Sequence, residues 1–184
     1  MRRRTSVSIL TLVVATSFLA TGCSRDIDPD QALREGLAQQ QAGNVEAAAE
    51  QYQLVLDARP KDKYANYNLG VIEQSDGRAL LAEGYYRTAL DTDPGFVPAL
   101  FNLAILRTEA GATQEAIDLY RQVIEIRSEH AAAHFNLGIL YREAGKPGLA
   151  DTQLNLALSL DPTLAGRLAS EPVAPGSPAA GATP

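Results

Sequence analysis

One interval, 34 residues long, recurs through the middle of the chain and constrains it more than any other feature. Ala48, Ala82, Ala116 and Ala150 are spaced by it, and Gly43, Gly77, Gly111 and Gly145 form a second, independent series. Tyr52, Tyr86 and Tyr120 follow it with Leu154 in the fourth place, and Pro60, Pro94 and Pro162 follow it with Ser128 in the third. Gly36, Gly70 and Gly138 add another series, interrupted by Ala104. A unit of this length holds one pair of helices, which buries its apolar side only against neighbouring pairs, so about three units are needed for stability.

The residue types fit that arrangement. Alanine suits the closest crossing of two helices, where a larger side chain overpacks. Glycine lets the first helix end in a left-handed cap, and proline stops the second helix before the next pair. Glu46, Glu115 and Asp151 stand near the starts of second helices, where the helix dipole favours negative charge. Tryptophan is absent and aromatic residues make up 6% of the chain, which suits thin stacked helices better than a sheet.

Taken together, these positions resemble the tetratricopeptide repeat: a small residue at position 8, glycine at 15, alanine at 20, an aromatic at 24, a small residue at 27 and proline at 32. The repeats run 29–62, 63–96, 97–130 and 131–164. The resemblance implies an all-α fold, a right-handed superhelical solenoid of four helix-turn-helix repeats. Position 4, bulky in the family, is Ala32, Asn66, Leu100 and His134, so looser packing is expected there in the first two repeats.

In such a solenoid the first helices of the pairs line a concave face. Position 6 is Asn68, Asn102 and Asn136, with Arg34 in the first repeat; position 5 is Tyr67, Phe101 and Phe135; position 9 is Val71, Ile105 and Ile139. Each amide therefore stands between an aromatic and a branched aliphatic residue, with Arg142 at the edge. Amides offer donors and an acceptor to an extended peptide, and rings take its side chains. This set is similar to the asparagine ladders of peptide-binding tetratricopeptide proteins. A second reading stays open, in which the asparagines bond within the scaffold and the rings pack between repeats. Basic residues at positions 5 and 9 are absent, which disfavours a clamp for a free C-terminal carboxylate.

The chain starts with Arg2, Arg3 and Arg4 and an apolar run from Val7 to Ala20, too short for a conventional membrane span. Leu19-Ala20-Thr21-Gly22-Cys23 resembles the lipobox of bacterial lipoproteins, with Ala20 where leucine is usual. Residues 1–22 are read as a signal peptide, Cys23 as the lipidation site and 23–28 as a short linker. Two or more acyl chains on Cys23 anchor a protein stably to a membrane. Ser24 then implies the outer membrane in a Gram-negative cell, and the outer face of the cell membrane otherwise. A plain secretory leader followed by an incidental cysteine is the alternative.

The formal net charge is −6, and it becomes more negative without the leader's three arginines, so no nucleic-acid partner is expected. Cys23 is the only cysteine, which excludes a disulfide within the chain and a cysteine-rich zinc site. His130 and His134 are four apart without a third ligand, so no metal or other cofactor is expected. No phosphate loop, nucleophile elbow or zinc-protease motif occurs, and no enzyme activity is expected.

Residues 165–184 are read as a short cap followed by an Ala/Pro/Gly tail. Leu164 and Leu168 either fold back over the last repeat, or a second copy or a partner covers it, giving a homodimer through the C-terminal repeat. The expected function is a membrane-anchored scaffold whose groove binds a protein or peptide and recruits or assembles envelope proteins. Its architecture is similar to lipoproteins that dock peptidoglycan hydrolases and to pilus pilotins. The alternative is a self-associating assembly lipoprotein whose groove is incidental.

Overall fold

A computed structural model describes residues 28–170; the leader, Cys23, most of the linker and residues 171–184 lie outside the described part. Four helix pairs follow one another: α1 Pro29–Gln41 with α2 Val45–Ala58, α3 Lys63–Ser75 with α4 Ala79–Thr92, α5 Val97–Glu109 with α6 Thr113–Ile126, and α7 Ala131–Glu143 with α8 Pro147–Leu160. A short α9, Leu164–Ser170, follows. The pairs stack in sequence order into an all-α, right-handed superhelical solenoid of tetratricopeptide type.

The helix ends follow from local chemistry. Asp28 caps α1 by accepting the Asp30 N–H at 2.9 Å, and Asp62 caps α3 by accepting from Tyr64 and Ala65. His130 does the same for α7, its Nδ1 accepting the Ala133 N–H at 3.2 Å. Each first helix ends at a glycine with positive φ: 80° at Gly43, 74° at Gly77, 72° at Gly111 and 68° at Gly145. The next residue's N–H then reaches back five residues, as from Asn44 to the Gln39 carbonyl at 2.9 Å, which satisfies a carbonyl the helix would leave open.

The close crossings place tyrosine against glycine. Ala48, Ala82, Ala116 and Ala150 are at most 1% exposed, as are Tyr52, Tyr86 and Tyr120. A Cβ on Gly36 would lie 2.6 Å from the Tyr52 ring, and one on Gly70 would lie 2.5 Å from the Tyr86 ring. In the last repeat, Leu154 takes the ring's place and meets Gly138 in the same way. Burying each such side chain contributes roughly 1.5–3 kcal/mol, so the crossings hold the pairs together.

Position 4 is not loose in the second repeat. Asn66 is buried and donates both amide hydrogens, to the carbonyls of Pro60 at 3.1 Å and Asp62 at 2.8 Å. His134 occupies the same position in the fourth repeat and reaches the Ser128 carbonyl at 2.9 Å. A polar side chain replaces bulk here because it satisfies the turn that joins two repeats.

Repeats two and three are also joined by charge. Glu83 is paired with Arg87 on its own helix and with Arg107 on α5, while Arg87 and Arg107 both reach Glu115 on α6. At the far end, Leu164 is buried and Leu168 packs beside Phe135, Leu154 and Ala157. The Arg167 guanidinium lies over the Phe135 ring, 4.7 Å from its centroid. Leu149, Leu156 and Leu160 on α8 remain 49%, 41% and 36% exposed.

Candidate functional site

The three asparagines are on α3, α5 and α7, and tyrosines beneath the second and third hold their amides. The Asn102 amide donates to the Tyr86 hydroxyl at 3.2 Å, and the Asn136 amide donates to the Tyr120 hydroxyl at 3.1 Å. Tyr86 passes its own proton to Gln74 Oε1 at 2.7 Å, so α3, α4 and α5 are tied by one chain of bonds. Tyr52 makes the equivalent bond within the first repeat, donating to Gln40 Oε1 at 2.6 Å. Burial pushes the Tyr52 and Tyr86 hydroxyls up to about 12, with the Asn102 amide pulling Tyr86 slightly back. These hydroxyls are neutral scaffold groups at ordinary pH.

The surroundings of the amides vary along the face. Val71, Ile105 and Ile139 are half-buried beside them, as are Tyr67 and Phe101. Tyr67 packs edge-on against Phe96 at 5.5 Å and beside Tyr86 at 6.0 Å, and burial raises its pKa. Phe101 contacts Tyr120 and the His130 ring. Phe135, at the equivalent place, is 1% exposed because α9 lies over it. Asn68 is 9% exposed, and Arg142 is half-buried in the last turn of α7.

A cavity of about 320 Å³ gathers part of this set at the C-terminal end: Ile105, Tyr120, Phe135, Asn136 and Ile139, with Arg167 at its side. Tyr67, Asn68, Val71, Phe101, Asn102 and Arg142 do not line it. One N–H of Asn102 and of Asn136 is held by the scaffold, and such an amide retains a second donor and an acceptor. The supporting role of Tyr86 and Tyr120 was missed in the sequence, although the signal was present. Position 24 of one repeat and position 6 of the next are 16 residues apart, and both keep the 34-residue interval.

His134 is occupied within the scaffold. Its Nδ1 lies 2.6 Å from Gln153 Oε1 and its Nε2 faces the Ser128 carbonyl, while His130 caps α7. Among the described residues, no three His, Cys, Asp or Glu side chains come together as a metal site would require. Among them also, no helix is long and apolar enough to cross a membrane. Cys23 lies outside the described residues.

Three family models match the chain: a tetratricopeptide repeat over residues 33–95, a TPR repeat over 106–145 and a tetratricopeptide repeat over 131–164. A search of the curated proteins returns no match. Among solved structures, a crystal structure of MamA is similar with a TM-score of 0.67 and 19% identity, covering 76% of this chain and 81% of that one. MamA from Desulfovibrio magneticus RS-1 gives 0.64 and 18%, covering 74% and 77%. A structure from the functional characterisation of Pseudomonas aeruginosa pilF gives 0.64 and 26%, covering 73% of this chain and 61% of that one. The MamA likenesses are of fold. The repeat matches, together with the stacked pairs and their shared face, place this chain in the tetratricopeptide repeat family, as a protein-interaction scaffold of a type that is typically not enzymatic.

Proposed function

We propose that this chain is an exported, lipid-anchored scaffold that holds an extended segment of a partner polypeptide on its concave face, recruits or assembles envelope proteins there, and catalyses no reaction. The observation that carries the reading is the line of amides. Asn102 and Asn136 recur at one-repeat spacing, each with one N–H fixed on a buried tyrosine hydroxyl. Amides held in this way are preorganised, which lowers the entropy lost when a peptide backbone pairs with them. The adjoining Val71, Ile105 and Ile139 supply apolar contact at the same interval.

The lipobox-like segment ending at Cys23 supports the anchor, and Ser24 supports an outer-membrane address in a cell with two membranes. Replacing Cys23 with serine is expected to move the protein from the membrane pellet to the soluble fraction and to abolish labelling by palmitate. Retention in the pellet would sink the anchor.

Self-association is the second reading, favoured by Leu149, Leu156 and Leu160, which stay exposed on α8 beside the short α9. Alanine at Asn68, Asn102 and Asn136 together separates the two. Loss of partner capture with unchanged oligomeric state supports the groove. Full capture by a variant that still folds, judged by circular dichroism, leaves self-association as the better account.

A further inference from the structure

The outer surface of the second helices carries one repeat that differs from its neighbours. At the second, third and sixth residues of these helices, the first repeat has Glu46, Ala47 and Glu50, the third has Gln114, Glu115 and Asp118, and the fourth has Gly148, Leu149 and Thr152. The second repeat has Leu80, Leu81 and Gly84. Leu80 is 84% exposed and Leu81 is 54% exposed. A lone exposed leucine needs no explanation, but two adjacent ones beside a groove do.

That groove, about 490 Å³, runs between α2 and α4, with Leu56, Pro60, Tyr85 and Thr88 in its walls. Gly84 opens it. A Cβ built there meets nothing within 4 Å, so neither packing nor a turn asks for glycine. Mid-helix glycine weakens a helix, and here the omitted side chain deepens the groove.

Carboxylates follow the groove-lining residues along both helices. Glu46, Glu50 and Asp57 share a stripe of α2 with Gln53, whose amide donates to Asp57 at 3.0 Å, and Asp91 lies one turn beyond Thr88 on α4, toward α6; all four carboxylates are exposed. The nearby arginines are spent within the scaffold: Arg59 on Asp30 and Asp62, Arg78 on Glu73 and Asp76, and Arg87 on Glu83 and Glu115. Lys61 stands at one end, beside Pro60.

We propose that this groove binds an amphipathic helix of a partner polypeptide, apolar on one face and lysine- or arginine-rich along its flanks. The stripe from Leu80 to Asp91 is about 16 Å long, which matches about three turns of such a helix. Charge complementarity selects the flanks and the leucines select the face. The site lies mainly on second helices, whereas the amide line lies on first helices, so the scaffold is able to engage two segments at once.

Two labelled peptides of about 18 residues test this with the purified full chain. They share one leucine face and carry either lysine or glutamate at every other position. In fluorescence anisotropy the lysine peptide is expected to bind at least about tenfold tighter than the glutamate peptide, and to weaken as salt rises. Leu80→Gln with Leu81→Gln, and separately Gly84→Gln, are each expected to weaken binding at least about tenfold without lowering the thermal midpoint. The triple alanine variant of Asn68, Asn102 and Asn136 is expected to bind as the parent does, so failure of the concave reading leaves this test intact. Equal binding of the two peptides, or unchanged affinity in both groove variants, overturns the proposal. So does a concentration-dependent dimer that the leucine substitutions dissolve, because the occupant is then a second copy.

Discussion

Single residues hold this scaffold where one side chain answers two neighbours. Gly70 must remain glycine because Tyr86 fills the space of a Cβ, so Gly70→Ala is expected to destabilise by about 1–3 kcal/mol in urea denaturation. Ala104 stands at the equivalent place opposite Tyr120, so this limit is set by local spacing and not by the repeat as such. Tyr86 bridges Gln74 and Asn102, and Tyr86→Phe removes the bond from each of two half-buried amides, which is expected to destabilise by about 0.5–1.5 kcal/mol. The hydroxyls also set the alkaline limit. Tyr52 and Tyr86 have folded pKa values of about 12 against an ordinary value of 10, so the fold binds their protons more tightly than the unfolded chain does. That stability is fully present below pH 10 and is lost as pH rises toward 12, which tyrosinate absorbance read alongside circular dichroism will check.

At the level of the helix, the ends of α2, α4, α6 and α8 show what the proline interval does. Arg59, Asp93 and Asp161, each before a proline, have φ between −136° and −141°, and Arg127, before Ser128, has −135°. The helix therefore stops at the same place without proline. Ser128→Pro is expected to raise stability by about 0.4–1 kcal/mol by restricting the unfolded chain, seen as a higher urea midpoint. The Glu83 network governs the joint of α4, α5 and α6. Hydrogen bonding from Arg87, then the charge of Arg107, holds the Glu83 carboxyl below its ordinary range. Its contribution is present above the ordinary carboxylate pKa and is lost as pH falls through the depressed folded value. Glu83→Gln is expected to lower stability at neutral pH by about 1 kcal/mol, since the Glu83 and Arg107 side chains are each 18% exposed, and to flatten the acid limb of the stability curve.

Across the whole molecule, stacking decides which apolar surfaces are covered. Phe135 is equivalent to Tyr67 and Phe101, yet it is almost fully buried because α9 lies where a fifth pair would start. Removing residues after 162 uncovers Phe135 and Leu154, and is expected to lower the thermal midpoint with the C-terminal repeat unfolding first. Hydrogen exchange in α7 and α8 reads that order. Unchanged protection there would mean that α9 is an ornament to the last repeat.

Much of this was legible without coordinates, because a repeat states the same contact several times. The turn glycines, buried alanines and inward tyrosines are local requirements, imposed by backbone dihedral and by the closeness of two helices, so residue type alone reveals them. The candidate face was legible only in part. Helical spacing put Asn68, Asn102 and Asn136 on one side, but which amide hydrogen is taken, and by which hydroxyl, depends on how one repeat leans on the next. The same holds for Asn66, which replaces bulk with two bonds to a turn, and for the ion pairs that cross from α4 to α5 and α6. Period and turn chemistry are properties of the chain's own neighbours in sequence, whereas exposure and pairing arise between segments that meet only after stacking.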